Sequence, residues 1–433
     1  MKTIHLPYGT KSLDLQVPTR TDVLRPACVP VPIEKPHQAV MSSLMRPIGS
    51  PSLKQLIETA RPGTVAITIS DITRPVPNRL FLPGIIDVLN AGGISDGQIV
   101  IIIGTGMHRP STPQEREVLV GPEIMSRIEI IDHRADDPDS LVKISEDPPV
   151  SICKKFAAAD FHIVTGYIEP HFMAGFSGGR KGVCPALVDL GTVQRFHGFD
   201  TLNDPRARTG NLAGNPCHEI ALDIARTVGV DFLFNVAITG DRQIAGIFCG
   251  DLELAHQAGC EQVAQWTTAE IDDPYDLVIT HGGGNPLDHT FYQTVKGMCT
   301  ALPALDKGSR LLQVSQCSEG VGSRAYTQLM LRWNNDWRGF LNDIQENRHI
   351  TALDQWEFQM HCRVLERIGI DNLWFVSDGM DLPMQKWLCV NPVMHEGNPR
   401  QRAQWAIVDF ITHNPSARLA VIPEGPYTML KRR

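Results

Sequence analysis

Short β-branched runs alternate with amphipathic helical patterns from one end of the chain to the other. This alternation is the signature of an α/β fold on a largely parallel sheet. Candidate strands are TVAITIS, IVIIIG, RIEIID, HIVTGYI, FLFNVAIT, DLVITHG, RLLQVS and NLWFVS. Helices are expected at HEIALDIARTVG, DLELAHQAGCEQVAQW, DQWEFQMHCRVLERIG and RQRAQWAIVDFITHN. A further helix is expected to start at Thr112-Pro113-Gln114-Glu115, a capping box with proline at the first helical position. The 433 residues exceed one typical core. The expectation is therefore two α/β domains with largely parallel, Rossmann-like sheets and an active-site cleft between them. The polar stretch TTAEIDDPYD suggests the break, giving domains 1–270 and 271–433.

Composition excludes several function classes. The net charge is -8, with no basic block to follow a phosphate backbone, so nucleic-acid binding is not expected. The first twenty residues carry no apolar core followed by a small-residue cleavage site, and no segment is apolar enough to span a bilayer. The ten cysteines are scattered without a C-x-x-C pair, which fits reduced thiols. A soluble, cytoplasmic protein is expected. Cys184, near Lys181, reads best as a small buried apolar side chain.

The polar, glycine-rich segments are more informative. SDITRPVP, GTGMHRPST, EPHFMAGFSGGRKG, HGGGNP and SQCSEGVG each follow a candidate strand. Ligands of open α/β sheets bind outside the carboxyl ends of the strands, so these segments are the expected site. Within them, GFSGG fits a serine-hydrolase elbow. However, the HGGG segment follows Ser177, where that fold needs it to precede the nucleophile, and Pro170 and His171 separate the serine from its strand. The glycines with Arg180 and Lys181 also fit an anion cradle, yet Gly182 stands where a Walker loop needs serine or threonine. A lysine in a crowded apolar loop can also be deprotonated and form a covalent bond. Three histidines, His108, His171 and His197, fall in or just beyond these segments. Two could serve as acid/base groups and the third could ligate a first-row metal. A non-catalytic protein using Lys181 only to hold an anionic ligand is the alternative.

SDITRPVP, GTGMHRPST, GYIEPHFMAGFSGGRKGVCPAL, HGFDTLND and HGGGNPLDHTFYQTVKG together resemble the lactate racemase family, the nickel-pincer enzymes that invert 2-hydroxy acids. The resemblance runs over essentially the whole chain. It implies a pyridinium-derived nickel-pincer nucleotide joined covalently to Lys181 as a thioamide, with Ni²⁺ bound by the cofactor and by His197. It implies that His108 and His171 are the acid/base pair, and that Asp71, Arg74, Tyr292, Gln293, Lys296 and Trp356 line the substrate pocket. Arg74 and Lys296 would hold the substrate carboxylate or polarise the keto oxygen. Ser177, Gly178 and Gly179 would let the backbone approach the cofactor closely. Cofactor-synthesis and nickel-insertion enzymes are the implied partners. The reaction implied is inversion at C2 of a lactate-like 2-hydroxy acid by hydride transfer through a 2-keto acid.

Overall fold

The computed structural model describes all 433 residues, and the chain forms two compact units. One contains residues 29–197 and 206–264; the other contains residues 1–28, 198–205 and 265–433. We call them the central and C-terminal units. No helix is long and apolar enough to cross a membrane.

The central unit is built on β1 (Val65–Ser70), β2 (Ile99–Gly104), β3 (Glu129–Asp132), β4 (Phe161–Tyr167), β5 (Phe232–Ile238) and β6 (Ile244–Gly250). Their order is β6-β5-β4-β1-β2-β3, parallel except for the β5–β6 edge pair. Strands such as β1 and β2 are buried over five consecutive residues because both faces of a parallel sheet are covered. Helix α1 (Asn78–Ala91) buries Phe81, Leu82, Ile85, Ile86 and Leu89, one helical stripe, in a cluster with Ile67 and Ile101 of the sheet. Cutting any of these to alanine would cost about 2–5 kcal/mol. The helix expected at Thr112 is present. Thr112 Oγ1 accepts the Glu115 N–H at 3.2 Å, and Glu115 Oε2 accepts the Thr112 N–H at 2.8 Å.

From β1 the chain moves outward to β2 and β3, then returns to β4 on the other flank of β1 and continues to β5. The order reverses between β1 and β4. At such a switch point the loops leaving two neighbouring strands diverge and open a crevice. SDITRPVP leaves β1 and EPHFMAGFSGGRKG leaves β4.

The C-terminal unit has its own parallel sheet of β7 (Leu277–His281), β8 (Arg310–Val314), β9 (Leu373–Val376), β10 (Asn391–Pro392) and β11 (Leu419–Val421), with Asp22–Val23 at the edge beside β11. The sequence suggests one break near residue 270, whereas the units are discontinuous. A hairpin of Lys2–Tyr8 and Lys11–Val17 alternates apolar and polar residues, and its Leu6, Leu15 and Val17 join Leu277, Ile279 and Ile407 in one core. Residues 198–205 are tied in by Gln359 Nε2, which donates to Phe199 O at 3.1 Å, and by Arg363, which donates to the Leu202 and Asp204 carbonyls.

Candidate active site

In the first loop Asp71 opens a turn. Its Oδ1 accepts Thr73 N–H and Oγ1–H at 3.2 and 2.5 Å, and its carbonyl accepts the Arg74 N–H at 3.1 Å. The other carboxylate oxygen lies 2.6 Å from His108 Nδ1 in the second loop. A carboxylate accepts only, so Nδ1 carries the proton and Nε2 the lone pair. Burial pushes the Asp71 carboxyl up, but His108, Thr73 and Arg74 outweigh it and the net shift is downward. The second loop is also pinned to the segment just after the third, since Gly106 N–H donates to Ala186 O at 3.0 Å.

The third loop begins as a small hairpin pairing His171 with Gly175. His171 Nδ1 accepts the Met173 and Ala174 N–H groups at 3.3 and 3.2 Å, so its ring proton sits on Nε2, opposite to His108. Ser177 is buried; its Oγ donates to Tyr167 O and accepts the Glu169 N–H, both at 2.9 Å. This serine locks the loop onto the end of β4. Gly178 and Gly179 have φ of 74° and 54°. Asn235 Oδ1 on β5 accepts the Gly179 N–H at 2.7 Å, and a Cβ at Gly179 would lie 2.6 Å from the His256 ring. Both the backbone sign and the missing space require glycine there. Gly179→Ala is therefore expected to lose about 1–3 kcal/mol in urea unfolding; an unchanged midpoint would refute the close packing.

The loop ends in a short 3₁₀ turn, Gly179–Gly182, which carries Arg180 and Lys181. Burial first, and then the Arg180 charge beside it, pull the Lys181 amine down to about 7, with Arg74 adding to the effect. Its Nζ stands 4.9 Å from the centre of the Phe196 ring. His197 follows at the end of helix α2 (Leu190–Phe196), and its Nδ1 donates to Val193 O at 2.9 Å, which places the ring's lone pair on Nε2. Burial and the Lys181 charge hold His197 down to about 3, so it is neutral at any ordinary pH. Burial pushes the Cys184 thiol up to about 12, consistent with an inert buried side chain.

In the C-terminal unit, helix α3 (Phe291–Ala301) follows the HGGGNP loop and carries Tyr292, Gln293 and Lys296. Tyr292 and Lys296 are four residues apart and share a face. Trp356, on helix α4 (Gln355–Ile368), donates its indole N–H to Tyr292 Oη at 2.8 Å. Next to it, Glu357 is fully buried; burial pushes its carboxyl up to about 8, and the nearby Lys296 charge opposes that shift. His281 of the HGGG segment is structural. Its Nε2 donates to Pro423 O at 2.7 Å and its Nδ1 accepts the Gly283 N–H at 3.0 Å.

The family model described as the lactate racemase N-terminal domain matches residues 8–210, and the one described as the lactate racemase C-terminal domain matches residues 271–427. The chain belongs to the lactate racemase family. It is 33% identical to a lactate racemase of Lactiplantibacillus plantarum and 30% identical to one of Thermoanaerobacterium thermosaccharolyticum, in each case over 100% of both chains. The solved structure of the lactate racemase apoprotein from the second organism superposes with a TM-score of 0.88, covering 99% of this chain and 100% of that one, at 30% identity. The α/β fold read from the sequence is that of the family, and the chain is an isomerase.

Of the residues singled out from the sequence, the lactate racemase fold brings Asp71, Arg74, His108, His171, Ser177, Gly178, Gly179, Lys181 and His197 into the three loops and following helix of the central unit. Tyr292, Gln293, Lys296 and Trp356 belong to the C-terminal unit. The serine-hydrolase pattern has no chemistry behind it, since the Ser177 hydroxyl bonds only backbone groups. Sequence reasoning missed Asn235, His256 and Phe196, which shape the lysine loop. Asn235 alone left a signal, as the one polar residue inside FLFNVAI.

Proposed function

We propose that this chain racemises lactate, or a 2-hydroxy acid much like it, with a nickel-pincer nucleotide tethered at Lys181. Both relatives named above are lactate racemases over their full length. The observation that carries the reading is Lys181, an amine lowered to about 7 in a glycine cradle next to an imidazole held neutral. That is the state a lysine needs for a covalent bond and a histidine needs for a metal. No cluster of three or more His, Cys, Asp or Glu side chains exists that could hold a metal ion. His197 Nε2 would be the single protein ligand to the metal, and the tethered group would supply the remaining ligands. When bound, that group supplies a hydride acceptor, so that C2 of the substrate passes through a planar 2-keto acid.

The chain's own groups do the proton work. His108 takes the hydroxyl proton at Nε2, while Asp71 holds its Nδ1–H and stabilises the imidazolium. His171 serves the opposite face. To deliver a proton it must be doubly protonated, and Nδ1 then no longer accepts from Met173 and Ala174; acting as the acid requires the ring to turn away from those amides. Arg74, in the same loop as Asp71, carries the positive charge that a substrate carboxylate needs.

The test is to produce the chain together with the cofactor-synthesis and nickel-insertion enzymes and to follow one lactate enantiomer by chiral chromatography. Progress to an equal mixture is expected. An enantiomer left unchanged by nickel-loaded protein would remove lactate as the substrate. His197→Ala should keep the mass adduct on Lys181 and lose stoichiometric nickel; full nickel occupancy would assign the ligand elsewhere.

A further inference from the structure

Away from the residues assigned above, the central unit contains a cavity of about 400 Å³. Its lining includes Arg180, His218 and His256, and none of Asp71, His108, His171, Lys181 or His197. Arg180 is 1% exposed, and it hydrogen-bonds neutral groups only: Ala174 O at 2.8 Å, Gly178 O at 3.3 Å and His256 Nε2 at 3.0 Å. No carboxylate pairs with it. Its Nε is buried without a partner, and so is Nδ1 of His218. The two side chains are close enough for the guanidinium to depress the imidazole, with burial the larger cause. A buried cation with no counter-charge is costly, and Arg180 and His218, each with an unpartnered nitrogen, both line this cavity, which favours an oxyanion there.

The rest of the cavity narrows the class of ligand. Phe176, Leu222 and Leu252 give it apolar walls, and its volume falls in the range of small-molecule sites, far larger than an inorganic anion needs. Exposed Glu219, Glu253 and Glu261 also line it. Arg226 pairs with Glu253 at 2.8 and 2.7 Å, which leaves the other two to repel a second negative charge on a ligand. We propose that this cavity binds a small monocarboxylate with an apolar body, its carboxylate on Arg180 and His218 and its body against Phe176, Leu222 and Leu252. The guanidinium that receives the carboxylate also holds Ala174 O and Gly178 O, so the site abuts the loop before Lys181. The site stands independently of the catalytic assignment.

Isothermal titration of the apoprotein with phenylacetate tests this, with phenylacetamide, succinate and inorganic phosphate as controls. Saturable binding of phenylacetate is expected, at least about 10-fold tighter than that of any control, because the amide lacks the charge, succinate carries a second one and phosphate leaves the apolar walls in water. Ala213→Trp places bulk at an exposed lining position and should abolish binding without touching the core. His218→Leu should weaken it about 10-fold, the value of one hydrogen bond to a charged group. Equal binding of phenylacetamide, binding of phosphate in preference to phenylacetate, or phenylacetate binding that Ala213→Trp leaves unchanged would each overturn the proposal, the last by placing the carboxylate elsewhere on the protein.

Discussion

Lys181→Ala is expected to leave no covalent adduct, no stoichiometric nickel and no racemisation when the chain is made alongside the cofactor-synthesis enzymes. The parent chain should gain mass and visible absorbance. The argument is electrostatic. An ordinary lysine is protonated at neutral pH and cannot attack, whereas burial and the Arg180 charge bring this amine down to about 7. Near pH 7 about half of it is the free base, and the fraction falls about tenfold for each pH unit below. Labelling of the apoprotein amine by an acylating reagent should therefore be half-maximal near pH 7 at Lys181, and near pH 10 at surface lysines. An adduct on the substituted chain, or a Lys181 profile like that of the surface lysines, would remove the tether from the account.

The second large effect concerns His108 and His171. If each imidazole serves one face of the substrate, every full inversion uses both, so His108→Ala and His171→Ala should each abolish racemisation in both directions. The loss should be at least about 10²-fold, the lower end for a positioned acid or base. Simple damage to the site predicts loss of every activity. A two-base site predicts that a single variant still oxidises one enantiomer and accumulates bound keto acid. Asp71→Asn separates positioning from chemistry: an amide oxygen can still accept from His108 Nδ1, but the charge that stabilises the imidazolium is gone. Its kcat should fall with little change in KM. A variant that loses activity in one direction only would contradict the shared use of the two rings.

The eight candidate strands all form, because β-branched apolar runs of that length between glycine- and proline-rich segments can be buried on both faces only in a sheet. The helix at Thr112 and the four longer ones were equally legible from capping and periodicity. The loop residues followed, since the strand ends fix where polar, glycine-rich segments gather. What stayed hidden depends on partners far apart in the chain. The first seventeen residues alternate as strands should, but nothing local says that their apolar face completes a core with Leu277 and Ile407. The Asp71–His108 pair spans 37 positions and the Arg180–His256 pair spans 76. The opposite tautomers of His108 and His171 follow from a carboxylate in one case and two backbone amides in the other, neither of which a motif records.

The central claim is that C2 is inverted by removing and returning a hydride, with the two histidines confined to the hydroxyl proton. It is tested most directly by following lactate deuterated at C2 through racemisation in ordinary water by the nickel-loaded chain. The account predicts that deuterium is kept in both enantiomers at equilibrium, because hydride never mixes with solvent. Washout of the label into water at the rate of inversion would mean that a base removes a proton from carbon, and would contradict it.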